Sequence, residues 1–320
     1  MDNYNVYYIN LDERLDRKKH IEIELLKIFP KETINRISAT KNINGAVGCT
    51  QSHINTLFTF LKSDKKYCFV FEDDFQLLYS VDETKNILNN IFSENFNAVM
   101  LSYNALGIEY NYDTIKNNMC LFKNGITTAG YLVNKDFAKI LLNNFLEGMQ
   151  KLMETGQKRL YAIDMYWLNL QTEENKFYAC VPCLGCQMNS FSNVENVTKE
   201  YIQCNTCIIL LDNSIDKNNQ LLKKSPFKCL HYDNINNDTI NKINKLYPNV
   251  KFLFRLNNMM FNLLKWIDIC NIYKQMIYQN LAEHNVNKIL EINMIDNHLH
   301  TKNITKSNKN YQKSFMMLLK

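Results

Sequence analysis

The run Tyr67-Cys68-Phe69-Val70-Phe71 leads straight into Glu72-Asp73-Asp74, and Phe75 follows. The aromatic and β-branched run has the length and residue types of a strand buried on both faces. Three carboxylates with aromatics on either side do not make a solvated charge run. They belong where that strand leaves a sheet, and in open α/β sheets ligands bind outside the carboxyl ends of the strands. Carboxylates clustered there need a cation to offset their mutual repulsion, and hard oxygen ligands suit Mg²⁺ or Mn²⁺. Such a cation is also what a diphosphate leaving group requires. The competing reading is an acidic turn that caps the next helix.

The surrounding sequence alternates in the way that sheet requires. Val6 to Leu11 reads as a first buried strand, and Arg14 to Phe29 as a helix carrying Ile21, Leu25 and Ile28 before Pro30. Thr33 to Ile37 reads as a second strand. Gly45 and Gly48 then break the chain ahead of a helix with Ile54, Leu57, Phe58 and Leu61 on one face. With Tyr67 to Phe71 and Asn97 to Leu101 as further strands, this is the pattern of a mostly parallel sheet with helices on its faces. Asn118 to Phe122 and Thr127 to Val133 read as strands, Asp136 to Phe145 as a helix, and Tyr161 to Leu170 as a helix containing Asp164. The polar stretch from Asp212 to Lys224 marks a boundary, giving a first domain over 1–211 and a second over 212–320. Phe252 to Leu281 is rich enough in Leu, Phe, Met, Ile and Trp to predict buried helices, and Thr301 to Tyr311 a poorly ordered polar tail.

Composition narrows the class. Of 320 residues 46% are hydrophobic and 22% charged, as in an ordinary soluble globule. The net charge of +5 comes from dispersed Lys, which gives no nucleic-acid footprint but suits a cavity for a phosphate-bearing small molecule. No basic-then-apolar leader opens the chain and no apolar run is long enough to span a bilayer, so a soluble, cytoplasmic protein is expected. The sequons at Asn196, Asn237 and Asn303 are then expected to stay unmodified. Few Gly and Pro beside abundant Asn, Lys and Ile suggest an AT-rich microbial or viral genome. The ten cysteines should be reduced in that compartment. Cys183-x2-Cys186 and Cys204-x2-Cys207 have the spacing of a four-thiolate zinc site, although strand-like sequence surrounds them and Cys204 to Cys207 lacks the usual Gly turn.

Other residues could do chemistry. Asn10 ends the first strand, and Arg14 and Arg17, one turn apart at the entry to the next helix, could border a phosphate or nucleotide; a surface ion-pair helix start capped by Asp12 explains them equally well. Ser52 and His53 lie just inside the second helix, where a lone His is more often a satisfied core residue than a ligand. Asp164 sits among apolar and aromatic neighbours, surroundings that favour a general base over a carboxylate on a wet helix face.

Taken in order, these segments resemble glycosyltransferase family 25, which includes lipopolysaccharide galactosyl- and glucosyltransferases and collagen galactosyltransferases. The resemblance rests on Tyr8-Ile9-Asn10-Leu11 with Arg14 and Asp16-Arg17, Gly48-Cys49 with Ser52-His53, and Phe71-Glu72-Asp73-Asp74. It continues through Thr128-Ala129-Gly130-Tyr131, Asp164 with Leu168, and Pro182-Leu184 with Gln187 and Ser192, over about residues 4 to 196. It implies a GT-A-like α/β fold, a single Rossmann-type mixed sheet flanked by helices, with a mainly helical C-terminal extension left unmatched. It further implies a nucleotide-sugar donor, usually a UDP-hexose, a divalent metal (Mn²⁺, or Mg²⁺) and inverting transfer to a hydroxyl on a glycan or protein. Asp74 is then the main metal ligand, with Glu72 or Asp73 on the metal or the ribose. Asn10, Arg14, Arg17, Ser52, His53, Glu72, Asp73 and Gln187 shape the donor site, and Asp164 is the base. His231 is the candidate for any further ligand from the C-terminal part. The alternative is a non-catalytic scaffold that keeps the fold, with or without a four-cysteine zinc clasp; a nucleotidyltransferase fits the Asn10 and His53 segments less well. Homo-oligomerisation stays open.

Overall fold

A computed structural model of the chain describes residues 3–103, 109–181, 183–188, 190–192, 197–199, 207–212, 215, 228–232, 252–256, 288–295 and 298–303. The chain divides into two compact units, Met1–Tyr201 and Ile202–Lys320. The boundary falls before Cys207–Asp212, a strand that the sequence pattern assigned to the first domain.

The first unit begins with β1 (Tyr4–Asn10), α1 (Leu15–Leu26), β2 (Ile34–Ser38), α2 (Gly45–Lys62), β3 (Tyr67–Glu72), the short β4 (Phe75–Leu77), α3 (Val81–Phe92) and β5 (Ala98–Ser102). A hairpin of β6 (Glu109–Lys116) and β7 (Met119–Lys123) follows, then β8 (Gly130–Asn134) and the long α4 (Lys135–Thr155). Two four-residue helices, α5 (Lys158–Tyr161) and α6 (Ile163–Tyr166), and a 3-10 turn over Trp167–Leu170 replace the continuous helix expected from Tyr161 to Leu170. Strands β9 (Phe177–Cys180), β10 (Gly185–Gln187), β11 (Ser190–Ser192) and β12 (Val197–Lys199) complete the unit.

Eight of these strands form one sheet in the order β2-β1-β3-β8-β5-β9-β7-β6. Strands β2, β1 and β3 are parallel, β8 is antiparallel to both β3 and β5, and β9 is parallel to β5. The sheet is therefore mixed, as the α/β reading expected, and less parallel than the strand–helix alternation alone suggested. Period-two alternation sorts its side chains. Tyr7, Ile9, Cys68 and Val70 pack with α2 and α4 through Ile54, Leu57, Phe137 and Leu141. Val6, Tyr8, Phe69 and Phe71 pack with α1 and α3 through Ile21, Leu25, Ile87 and Ile91 on the other face. Fully burying each such side chain stabilises the unit by about 1.5–3 kcal/mol.

In the second unit, β13 (Cys207–Asp212), β14 (Lys228–Tyr232), β15 (Phe252–Leu256), β16 (Lys288–Ile295) and β17 (His298–Asn303) form a sheet ordered β14-β13-β15-β16-β17. The first four are parallel and β17 is antiparallel. Apart from Ile215, the described residues here are strands; most of the region expected to be mainly helical, 212–320, lies outside the described residues. Phe252 to Leu256, the start of the expected helical region, is one of these strands, and Thr301 to Asn303, the start of the expected poorly ordered tail, belong to β17; the remainder to Leu281 and residues from 304 lie outside the described residues. Alternation is lost in strands buried on both faces, so an apolar run alone does not separate them from a core helix. Among the described residues, no helix is long and apolar enough to cross a membrane.

Candidate active site

The acidic triplet stands where β1 and β3 end side by side, next to the start of antiparallel β8. Its three side chains part company for the same reason that the strand residues before them do. Glu72 continues the Cys68/Val70 side, toward α2, where its Oε1 lies 3.5 Å from His53 Nε2 and accepts a 2.6 Å bond from the Thr128 hydroxyl. Asp73 turns to the α1 side. There Asn10 Nδ2 donates to it at 2.8 Å and Arg17 Nη1 at 2.9 Å. Asp74 lies deep between them, 3% exposed, with Arg17 Nη1 3.4 Å from Oδ2 and no hydrogen-bond partner on Oδ1.

The electrostatics separate the three in the same way. Burial raises Asp73, opposed by Arg17 and Asn10. Burial alone would raise Glu72, but His53 and the Thr128 hydroxyl outweigh it and hold the carboxyl below its usual range. Asp74 is pushed up to about 7, first by burial and then by the charge of Glu72. An unpartnered buried carboxylate oxygen beside a second carboxylate is a costly arrangement with nothing bound. A hard divalent cation would relieve it, so this donor set fits the metal expected at Asp74 and Glu72.

A cavity of about 540 Å³ opens over the triplet, a volume within the range of small-molecule sites. The structure brings Asn10, Arg17, Ser52, His53, Glu72, Asp73, Asp74, Asp164 and Gln187 to its walls. Their roles differ from the simplest expectation. Asn10 and Arg17 are committed to Asp73, and Arg17 Nη2 also donates to the Phe191 carbonyl at 2.9 Å, so both hold protein groups in place. Arg14 precedes α1 rather than lying within it, does not line the cavity, and forks onto Asp16 at 3.0 and 2.8 Å. Ser52 is also occupied, donating to the Gly48 carbonyl at 2.7 Å and accepting from Thr40 N–H at 2.8 Å. His231 lies on β14 of the second unit. Of the proposed zinc ligands, Cys183 and Cys186 are buried in the first unit, where Cys183 Sγ donates to the Gly185 carbonyl at 3.0 Å and Gln76 Nε2 donates to Cys186 at 3.1 Å. Cys207 opens β13, and Cys204 lies outside the described residues.

The Ser52 bond pins α2 against the loop from Thr40 to Asn42, and Gly48 makes that approach possible. A Cβ on Gly48 would lie 2.5 Å from the Thr40 carbonyl oxygen, a backbone atom. Gly48→Ala gains about 1 kcal/mol of helix propensity but incurs an overpacking cost of about 1–3 kcal/mol, and the cost should prevail. A lowered thermal midpoint is expected. A raised one would mean that the loop yields freely.

Three cavity residues escaped the sequence reading. Thr127, a β-branched residue at φ 80°, has a strained backbone. Its N–H donates to Asp164 Oδ2 at 3.2 Å and its hydroxyl to Gln187 Oε1 at 3.0 Å, linking the candidate base to the residue beside Asp74. Two residues earlier the chain is anchored at Gly125, whose carbonyl accepts from Trp167 Nε1 and Gln171 Nε2 and whose N–H donates to Gln171 Oε1. No residue pattern announces such a conformation. Lys158 and Arg159 are exposed cations on the cavity rim. A signal for them existed: Gly156, in left-handed conformation at φ 69°, ends α4 just before this dibasic pair.

Residues 29–167, a little under half of the chain, match the sequence model of glycosyltransferase family 25 (LPS biosynthesis protein). The match contains Ser52, His53, the acidic triplet and Asp164, and stops short of Asn10, Arg14, Arg17 and Gln187. Among solved structures, a glycosyltransferase involved in glycosylation of the major capsid of PBCV-1 aligns at 12% identity over 60% of this chain and 96% of its own, with a TM-score of 0.35. The apo-form glycosyltransferase GlyE of Streptococcus pneumoniae TIGR4 aligns at 10% identity over 85% and 89%, with a TM-score of 0.36. A Thermus thermophilus protein described as a mannose-1-phosphate geranyltransferase aligns at 5% identity over 94% and 95%, with a TM-score of 0.37. No curated protein matches the chain. That match over residues 29–167 supports a glycosyltransferase.

Proposed function

We propose that the first unit transfers a hexose, with inversion, from a UDP-sugar to an acceptor hydroxyl on a glycan or protein, with Mn²⁺ (or Mg²⁺) held by Asp74 and Glu72. One observation carries this reading: Asn10 and Arg17 take up Asp73, while the buried Asp74 keeps an oxygen without a partner. When bound, the metal supplies positive charge to the diphosphate as the sugar–phosphate bond breaks. The chain's own residues do the rest. Arg17 and Asn10 fix Asp73 and, through the backbone, the neighbours on either side of it. Asp164, oriented by the Thr127 N–H, accepts the proton of the acceptor hydroxyl. Gln187 and Thr127 tie the two halves of the cavity together.

Lys158 and Arg159 offer charge to the diphosphate from the rim. Exposed charges of this kind contribute roughly 0.2–1 kcal/mol each. The double Lys158→Ala/Arg159→Ala variant should raise the donor KM by about two- to thirtyfold, with kcat little changed. An unchanged KM would remove the pair from the donor site.

The reading is tested by screening UDP-sugars for Mn²⁺-dependent release of UDP. Release with one sugar, abolished by chelation and restored by Mn²⁺, is the expected result. Release that persists in excess chelator would overturn the metal assignment, and release only from donors with another nucleotide would overturn the UDP assignment.

A further inference from the structure

Cys49 and His53 are four residues apart on α2 and so lie on one face of the helix, which turns toward Glu72 at the end of β3. One ligand atom from each of the three lies within 4.8 Å of the others. His53 is fully buried, and its Nε2, the nitrogen turned to Glu72, has no hydrogen-bond partner. The other ring nitrogen is fixed by the Tyr131 hydroxyl at 3.1 Å, and the ring stacks near that of Tyr131. A partner on Nδ1 is what sets the orientation of a metal-binding imidazole. Glu72 is likewise steadied, by the Thr128 hydroxyl. All three residues line the cavity, which leaves a direction open for a fourth ligand.

We propose that Cys49, His53 and Glu72 form a second cation site, selective for a borderline-soft divalent ion of the zinc class. A thiolate and an imidazole favour such an ion over Mn²⁺ or Mg²⁺, which prefer oxygen. Binding exchanges the Cys49 thiol proton for the metal, with no change of oxidation state. The site shares Glu72 with the Mn²⁺ site proposed above. It follows, on that reading, that zinc and manganese compete, so zinc is an antagonist of the manganese-loaded enzyme.

The full chain, stripped of metal by a chelator, is titrated with Co²⁺ as a spectroscopic stand-in for zinc. A thiolate-to-cobalt charge-transfer band in the near ultraviolet is expected in the parent protein. It should vanish in Cys49→Ser and persist in Cys204→Ser/Cys207→Ser, which controls for that pair of thiols. Circular dichroism checks that each variant is folded, and His53→Gln, which also lacks the ligand nitrogen, should lose the band as well. No band in the parent, or a band that survives Cys49→Ser, overturns the site. Competition is read separately by electron paramagnetic resonance of Mn²⁺. Zinc should return bound Mn²⁺ to solution from the parent protein, and Cys49→Ser should require at least about tenfold more zinc. Full Mn²⁺ retention with zinc in place overturns the antagonism. A cobalt band without any Mn²⁺ binding or UDP release defeats the functional reading and leaves the Cys49 site standing. Mn²⁺-dependent UDP release without the band does the reverse.

Discussion

Asp74→Asn is expected to lower kcat/KM at least about 10²-fold while making the metal-free protein more heat-stable at alkaline pH. The loss follows from removing the charged oxygen that the cavity leaves unpartnered. The gain follows from linkage. Asp74 titrates near 7 in the folded protein against 3.8 for an unperturbed Asp, because burial and Glu72 both oppose its charge. A carboxyl whose folded pKa is raised contributes stability that is fully present below the unfolded value and is lost as pH rises through the folded one. The window therefore runs from about pH 4 to just above pH 7, and above it the parent protein carries a buried, poorly compensated charge. About three pKa units set an upper bound of roughly 4 kcal/mol; relaxation around the site will reduce it. Asparagine carries no such charge, so its thermal midpoint should exceed that of the parent near pH 8 and approach it near pH 4. Calorimetry of both metal-free proteins across that range checks this. A variant that is less stable than the parent at both ends would show that Asp74 holds the fold together. Added Mn²⁺ should raise the midpoint of the parent and leave that of the variant almost unmoved.

The parts of this site that could be read from the sequence are those set by local period. The Tyr67–Phe71 run identifies a strand buried on both faces, and continuing its alternation sends Glu72 to α2 and Asp73 to α1. The partners could not be read in the same way. Asn10 and Arg17 looked like ligands for a nucleotide because their polar groups lay near a strand end. Only the parallel pairing of β1 with β3 shows that Asp73 takes them first. His53, judged alone, looked like a core residue. The helical spacing to Cys49 was present in the chain, but Glu72 becomes the third member only through the packing of α2 on the sheet. In the second unit, periodicity could not separate a strand such as Phe252–Leu256 from a helix, because both of its faces can be apolar.

Asp164→Asn is expected to lower kcat by roughly 10²–10⁴-fold, the range for loss of a general base, with the Kd for UDP and Mn²⁺ unchanged. The separation of effects follows from placement. Asp164 stands on the four-residue helix α6 and lines the cavity, with its Oδ2 bound to the Thr127 N–H. Asparagine keeps the size and can still accept that hydrogen bond, so Thr127 should retain its strained conformation and Gln187 its position. What disappears is the capacity to take a proton from the acceptor hydroxyl as the sugar moves. The substitution should consequently spare donor binding and slow the transfer step, which titration calorimetry with UDP and single-turnover kinetics measure independently. A weakened Kd with normal turnover would place Asp164 among the donor contacts. Thr127→Gly supplies the complementary test. It relieves the strain at φ 80° and deletes the hydroxyl that reaches Gln187, while keeping the N–H that orients Asp164. If orientation through that N–H is what matters, Thr127→Gly should retain far more activity than Asp164→Asn, and a loss as large as that of Asp164→Asn would transfer the decisive role to the Thr127–Gln187 link.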